Sequence, residues 1–349
     1  MSTPDDMAFD RALGALVGGA LGDAMGMPTQ LLSPAEIRSH YGFVDDFVAP
    51  IPDHPVSQGL SAGTITDDTE QTLLLSSVLL GSRDGFDHHG WVNALIRWED
   101  DIRTRGGYDL LGPSTKRAIE AINNGLTPEE AGRHGDTNGA AMRCAPVGII
   151  VPPEPAAALV RAVAETCRAT HNTSIAISAA TAVATVISHG ISGMGWRQAL
   201  GHAVAAARSA ESQGHWVAGG SVAARIEWAL DLVEDCNLEE GIARVFDRVG
   251  TSVASQESVP AAFAVLKLAD GDAWKAAVIA ANLGGDTDTI GAIASSMAGA
   301  CAGYDSLPRD KIARLVGIDI EETRILARAL VDTRTASQAS GPGEGRRHG

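Results

Sequence analysis

Aromatic side chains are scarce in this chain, at 4% of its 349 residues. That disfavours β-sandwiches and barrels, whose strands lean on aromatic and β-branched residues. Basic residues are short as well: 27 Lys and Arg stand against 43 Asp and Glu, a net charge of −16. Such a surface repels phosphate backbones and excludes a nonspecific grip on nucleic acid. Only four cysteines occur. Cys144, Cys167, Cys236 and Cys301 show no paired spacing and no His in zinc-ligand register. They read as reduced, semi-buried thiols of a cytoplasmic protein, not as a disulfide framework or a zinc site. Long hydrophobic runs are missing too. The longest apolar stretch, 175–187, is interrupted by Ser178, Thr181 and Thr185 and is too short to span a bilayer. Residues 1–6 lack the basic and apolar regions of a signal peptide, so no membrane role is expected.

What is present is small and apolar. Hydrophobic residues make up 45% of the chain and glycines number 39, a composition that suits helices packed at close range. Helical periodicity recurs in segments from 9–24 through to 322–331, separated by breakers such as Gly112-Pro113, Pro152-Pro153 and Gly190. Strand–turn–helix alternation is absent, which points to an all-α fold. One compact multi-helix domain is expected over 9–332, with a flexible N-terminus at 1–8. The Ser-, Gly- and Arg-rich stretch 333–349 reads as a disordered tail. Gly14, Gly18, Gly22 and Gly26 recur every fourth residue, and Gly291, Ser295, Gly299 and Gly303 repeat the pattern. Each set makes a ridge along which a neighbouring backbone can approach closely.

Two acidic clusters stand out. Thr66-Asp67-Asp68-Thr69-Glu70 precedes an apolar helix and could be a capping box, with Glu70 reaching back to the helix start. Gly284-Gly285-Asp286-Thr287-Asp288-Thr289 also lies at a loop-to-helix junction. Its acids at i and i+2 exceed what one cap requires, and paired carboxylates repel unless a cation or proton intervenes. A shared metal centre explains both clusters together. Oxygen ligands favour magnesium, calcium or manganese over zinc. Four carboxylates and two hydroxyls suit two ions better than one. A third motif, Gly135-Asp136-Thr137-Asn138-Gly139-Ala140-Ala141-Met142-Arg143, permits close approach of a ligand to backbone N–H groups, or is an ordinary turn before a helix. It has no P-loop lysine. His171, in Arg168-Ala169-Thr170-His171-Asn172, reads first as a structural hydrogen-bonder or cap and only second as a catalytic group. The glycines near the start follow no strand, which rules out a dinucleotide fingerprint.

These motifs occur in the order seen in the ADP-ribosylglycohydrolase family, which the chain resembles over roughly 9–310. The resemblance implies a compact, orthogonal all-α bundle with a binuclear Mg²⁺ site, Mn²⁺ being a substitute. By position, Thr66, Asp67 and Asp68 resemble ligands of one ion, Asp286 and Thr289 ligands of the other, and Asp288 a bridge. Asn138, Gly139, Ala140, Met142 and Arg143 resemble a segment that cradles ribose and phosphates, and His171 resembles a pocket residue. One position departs. Family members usually carry glutamate near the reactive centre where this chain has Gln30, and Asp109 is offset from a second acidic position.

The expectation is a hydrolase of a ribosyl bond. Asp67, Asp68 or Asp288 would take a proton from water, and an ADP-ribosyl adduct of a protein or small molecule would be the substrate. Gln30 leaves open a nucleoside or smaller ribosyl substrate, or a non-catalytic ADP-ribose-binding relative. The oligomeric state is not legible in the sequence.

Overall fold

The computed structural model describes residues 3–82, 85–104 and 112–339; Asp109 lies outside them. Among the described residues there are eighteen α-helices. Strands are absent from those residues: backbone pairing outside helices and turns is limited to isolated bridges such as Thr137 with Ala254. The fold is all-α, as the composition implies.

The helix Ser174–Ile191 is buried along its whole length. Its 18 residues have a mean hydropathy of 1.6, so by length and composition it could cross a membrane, yet all of it lies inside the core. Ser178 and Thr185 find carbonyl acceptors for their hydroxyls, while Thr181 Oγ1 is buried without a partner among the described residues. Ser178 Oγ donates to the Ala207 carbonyl at 2.8 Å and Thr185 Oγ1 to the Thr181 carbonyl at 2.7 Å.

The two glycine ridges pack against each other. A Cβ added at Gly14 would lie 2.5 Å from the Gly299 carbonyl oxygen, one at Gly18 2.7 Å from that of Ser295, and one at Gly22 2.1 Å from that of Gly291. The helices Pro4–Gly26 and Thr287–Ala302 therefore run antiparallel at backbone contact. Their last step puts Gly26 against Thr287 and Asp288, which fixes one acidic cluster beside the end of the first helix. Gly22→Ala should accordingly destabilise the protein by about 1–3 kcal/mol, because the backbones must separate. Gly19→Ala is the control: its Cβ would meet Ser296 Cβ at an ordinary 3.5 Å. Equal denaturant midpoints for the two variants would refute the contact.

Helix extends further toward each end of the described residues than composition implies. The first helix begins at Pro4 instead of near residue 9, because Thr3 and Asp6 form a reciprocal capping box with Pro4 at the first helical position. The last helix, Ile320–Ala339, runs through 333–339. Its anchor is Arg334, only 4% exposed. Arg334 Nη1 donates to the carbonyls of Ile149 and Val151 at 3.0 and 2.7 Å, and Nη2 to the Ser188 carbonyl and Ser192 Oγ at 3.1 and 2.7 Å. Those carbonyls end the helices Ala145–Ile150 and Ser174–Ile191, where a cation complements the helix dipoles. Burial lowers the Arg334 pKa to about 10, so the charge persists at neutral pH. Arg334→Met should cost about 3 kcal/mol in a chemical melt, since each buried acceptor left bare costs roughly 1–3 kcal/mol. A shift below a few tenths of that would show the guanidinium to be dispensable.

Candidate active site

The helices Asp67–Gly81 and Thr287–Ala302 meet at their N-terminal turns, where Thr289 Oγ1 donates to Asp68 Oδ2 at 3.2 Å. Positive helix ends favour carboxylates there. The acids are not spent on capping. Glu70 accepts from the Trp98 indole at 2.5 Å instead of closing a capping box with Thr66. Asp286, at the N-cap position, makes no side-chain cap and takes a hydrogen bond from Asn138 Nδ2.

Asp23 organises the first cluster from behind. It is fully buried and accepts from Thr66 N–H at 2.9 Å, Thr66 Oγ1 at 2.7 Å, and both the N–H and hydroxyl of Thr69. The Thr66 hydroxyl thus gives its proton to Asp23 and keeps an oxygen lone pair. Sequence reading assigned no role to Asp23. The available signal was an acid amid small apolar residues, Gly22-Asp23-Ala24-Met25-Gly26, where only a paired carboxylate is tolerable.

Burial raises the pKa of five aspartates here, Asp23, Asp67, Asp68, Asp286 and Asp288. Asp23 and Asp286 rise to about 6. Asp67 rises to about 8, with Asp23 and Asp286 adding repulsion to its burial, although it keeps some exposure toward the cavity. Asp68 and Asp288 are pushed well above the ordinary range, again by burial first and by neighbouring aspartates second. Asp68 Oδ1 and Asp288 Oδ1 are buried without a hydrogen-bond partner. Unpaired buried carboxylate oxygens are costly, and a cation is the group that would satisfy them. No three His, Cys, Asp or Glu side chains among the described residues form a ready-made cage. The cluster's oxygens that line the cavity are carboxylates and a hydroxyl, hard donors of the kind that Mg²⁺, Ca²⁺ or Mn²⁺ takes.

Arg143 is a fixed cation beside this cluster. It is 3% exposed, donates to Gln71 Oε1 at 2.6 Å and Thr170 Oγ1 at 2.9 Å, and packs over the Trp91 ring. Gln71 in turn donates to Asp67 Oδ2 at 3.0 Å. Arg143 can only donate, so its 3.2 Å contact with His171 Nδ1 makes that nitrogen the acceptor. The His171 proton then sits on Nε2 and points to Thr137 Oγ1, 3.1 Å away, which passes its own proton to Ser114 Oγ. Burial and Arg143 lower the His171 pKa well below its usual value, so the ring is neutral. Gln30 Nε2 donates to Ser57 Oγ at 3.0 Å.

A cavity of about 180 Å³ gathers Gln30, Asp67, Asp68, Asn138, Gly139, Met142, Arg143, His171, Asp286, Asp288 and Thr289. Thr66 and Ala140 stand outside its lining. Asn138 is engaged by Asp286 and Ser258 through Nδ2 and by the Val253 carbonyl through its N–H, so it acts first as a brace. A larger cavity, about 840 Å³, lies between the helices Pro34–Tyr41 and Leu238–Arg244, but it contains none of the clustered aspartates. Asp67, Asp68, Asp286 and Asp288 all line the smaller one.

A family model described as ADP-ribosylglycohydrolase matches residues 4–340. The uncharacterized protein YegU of Escherichia coli is 33% identical over 335 residues, covering 95% of this chain and 100% of that protein. The ADP-ribosylarginine hydrolase of Pseudomonas putida is 28% identical, covering 90% of this chain and 76% of that one. Among solved structures, an ADP-ribosylglycohydrolase-related protein complex aligns with a TM-score of 0.67 at 26% identity, over 94% of this chain and 99% of its own.

Proposed function

The chain belongs to the ADP-ribosylglycohydrolase family, and from that premise we propose that it is a magnesium-dependent hydrolase that removes ADP-ribose from a protein or small-molecule adduct through a binuclear centre. The observation that carries the metal is the pair of buried, partnerless oxygens on Asp68 and Asp288. Asp67, Asp68, Asp286, Asp288 and Thr289 would hold the ions from the cavity side, with Thr66 supporting them from behind. When bound, Mg²⁺ supplies Lewis-acid polarisation and lowers the pKa of water.

The remaining work falls to the protein. Asp67, Asp68 and Asp288 surround the place where positive charge develops on the ribose ring, and such fixed charges favour an oxocarbenium-like state. One of the three takes the proton of the attacking water. Gln71 and Asn138 fix the carboxylates of Asp67 and Asp286. Arg143, held by Gln71 and Thr170, keeps its charge near the cluster without entering the reaction. Neutral His171 and Thr137 orient the opposite wall. A cytoplasmic setting goes with this reading, since four free thiols keep best in a reducing compartment.

The limited cavity volume supports a second substrate, a nucleoside or smaller ribosyl compound. Sugar release from ADP-ribosyl adducts and from nucleosides, with and without Mg²⁺ after chelation, tests both. Mg²⁺-dependent release of ADP-ribose is expected. Release that persists in chelator overturns the metal, and release confined to nucleosides overturns the principal substrate.

A further inference from the structure

Two exposed apolar side chains border the catalytic cavity, and nothing above uses them. Leu31 is 52% exposed and Val253 40%, and both line the cavity. Each is fixed to the loops that carry the acidic cluster. Leu31 N–H donates to the Gly285 carbonyl at 2.7 Å, and Gly285 N–H returns a bond to the Leu32 carbonyl at 2.9 Å. On the other side Asp286 N–H bonds the Thr251 carbonyl at 2.7 Å, and the Val253 carbonyl receives Asn138 N–H at 2.9 Å.

Leu31 is also held at φ 61°, in the left-handed region that bulky side chains avoid. Glycine would suit that backbone and would leave no apolar surface in water. Strain together with exposure is the pattern of a side chain kept for contact with a ligand. The enclosed volume is below the roughly 300–1,000 Å³ of pockets that bury a drug-sized molecule. A volume of that size would take a ribosyl unit and leave the attached group toward the rim that carries Leu31 and Val253.

Building on the ribosyl-hydrolase reading, we infer that Leu31 and Val253 form an aliphatic clamp selecting a substrate whose group at the mouth is planar and apolar-faced, as a nucleobase is. Neither side chain offers a hydrogen bond, so the clamp reads shape and apolar surface. A hydrophilic group such as a guanidino leaving group gains nothing there.

The test compares ribosyl substrates that share the sugar and differ in leaving group, one a purine and one an alkylguanidine. In wild type, Leu31→Gly and Leu31→Met, kcat/KM is measured for each. The purine-to-guanidine ratio should fall about tenfold in Leu31→Gly, the scale of a modest hydrophobic contact, and be restored in Leu31→Met. An unchanged ratio overturns the clamp. If the wild type hydrolyses neither substrate, the nucleoside reading fails while release of ADP-ribose from adducts is tested separately, and the clamp is judged by binding alone. Adenosine should then bind more tightly than ribose, and Leu31→Gly should erase most of that difference. Equal affinities in the wild type would overturn the clamp. So would a change of oligomeric state in Leu31→Gly, which would make the rim an interface between copies.

Discussion

Stripped of divalent ions, Asp288→Asn protein should melt at a higher temperature than stripped wild type, and Mg²⁺ should no longer raise it. The sign follows from the site. Asp23, Asp67, Asp68, Asp286 and Asp288 repel one another in a buried cluster, and Asp288 carries an oxygen with no partner. Replacing one charge by an amide relieves that repulsion, with a gain of about 0.5–2 kcal/mol typical of a destabilised functional site. Wild type gains its stability from the ion instead, about 2.7 kcal/mol at a hundredfold excess over Kd. The two melting curves should therefore cross as Mg²⁺ is added. Turnover should drop by at least roughly 10²–10³-fold, the usual effect of removing one preorganised electrostatic group. Calorimetry with Mg²⁺ and Mn²⁺ decides the matter. A wild type indifferent to both ions, together with an Asp288→Asn variant no more stable than it, would end the two-metal proposal.

The parts of this fold that periodicity can see were legible in the sequence. Apolar spacing shows in the helices Trp196–Ala210, which buries Ala199, Ala203, Ala206, Ala207 and Ala210, and Ala273–Ala281, which buries Ala273, Ala276, Ala277 and Ala280. The glycine ridges marked a close contact because a repeat of four leaves one helix face without side chains. What spacing alone did not say is that the ridges belong to each other, since partnership between distant segments is a tertiary property. Short elements were harder. The helices Pro34–Tyr41 and Pro128–Ala131 carry capping boxes at Ser33 and Thr127, but neither is long enough to show a period. At the C-terminus composition misled, because Arg334 looks like a surface residue in 333–349 and is instead buried against helix ends that no local pattern shows. The site divides along the same line. Clustered aspartates announce themselves, whereas Asp23, Gln71 and Thr137 act through partners 23 to 72 positions away in sequence.

Gln30→Glu should raise the rate on an ADP-ribosyl adduct by roughly 10²–10⁴-fold if a carboxylate here joins the proton chemistry, as general acid–base groups do. Gln30 lines the cavity with the clustered aspartates, so a charge placed there acts on the same ligand. Its present anchoring is specific to the amide. Nε2 donates to Ser57 Oγ at 3.0 Å, and Ser57 Oγ donates to the Met27 carbonyl at 3.1 Å. A carboxylate cannot donate, so the Ser57 hydroxyl must turn from Met27 toward residue 30 to keep one bond. The exchange forfeits about one hydrogen bond, roughly 1 kcal/mol, so the variant should fold and its kinetics should be interpretable. Ser57→Ala separates anchoring from charge: it frees Gln30 without adding a carboxylate, and it should not reproduce the gain. Two other outcomes are decisive. Equal rates for wild type and Gln30→Glu, with Asp68→Asn inactive, would make position 30 a bystander and leave proton transfer to the clustered aspartates. A gain on nucleosides with none on ADP-ribosyl adducts would mean that the amide is not what separates this chain from adduct-cleaving relatives, and would move the search for substrate selection to the rim at Leu31.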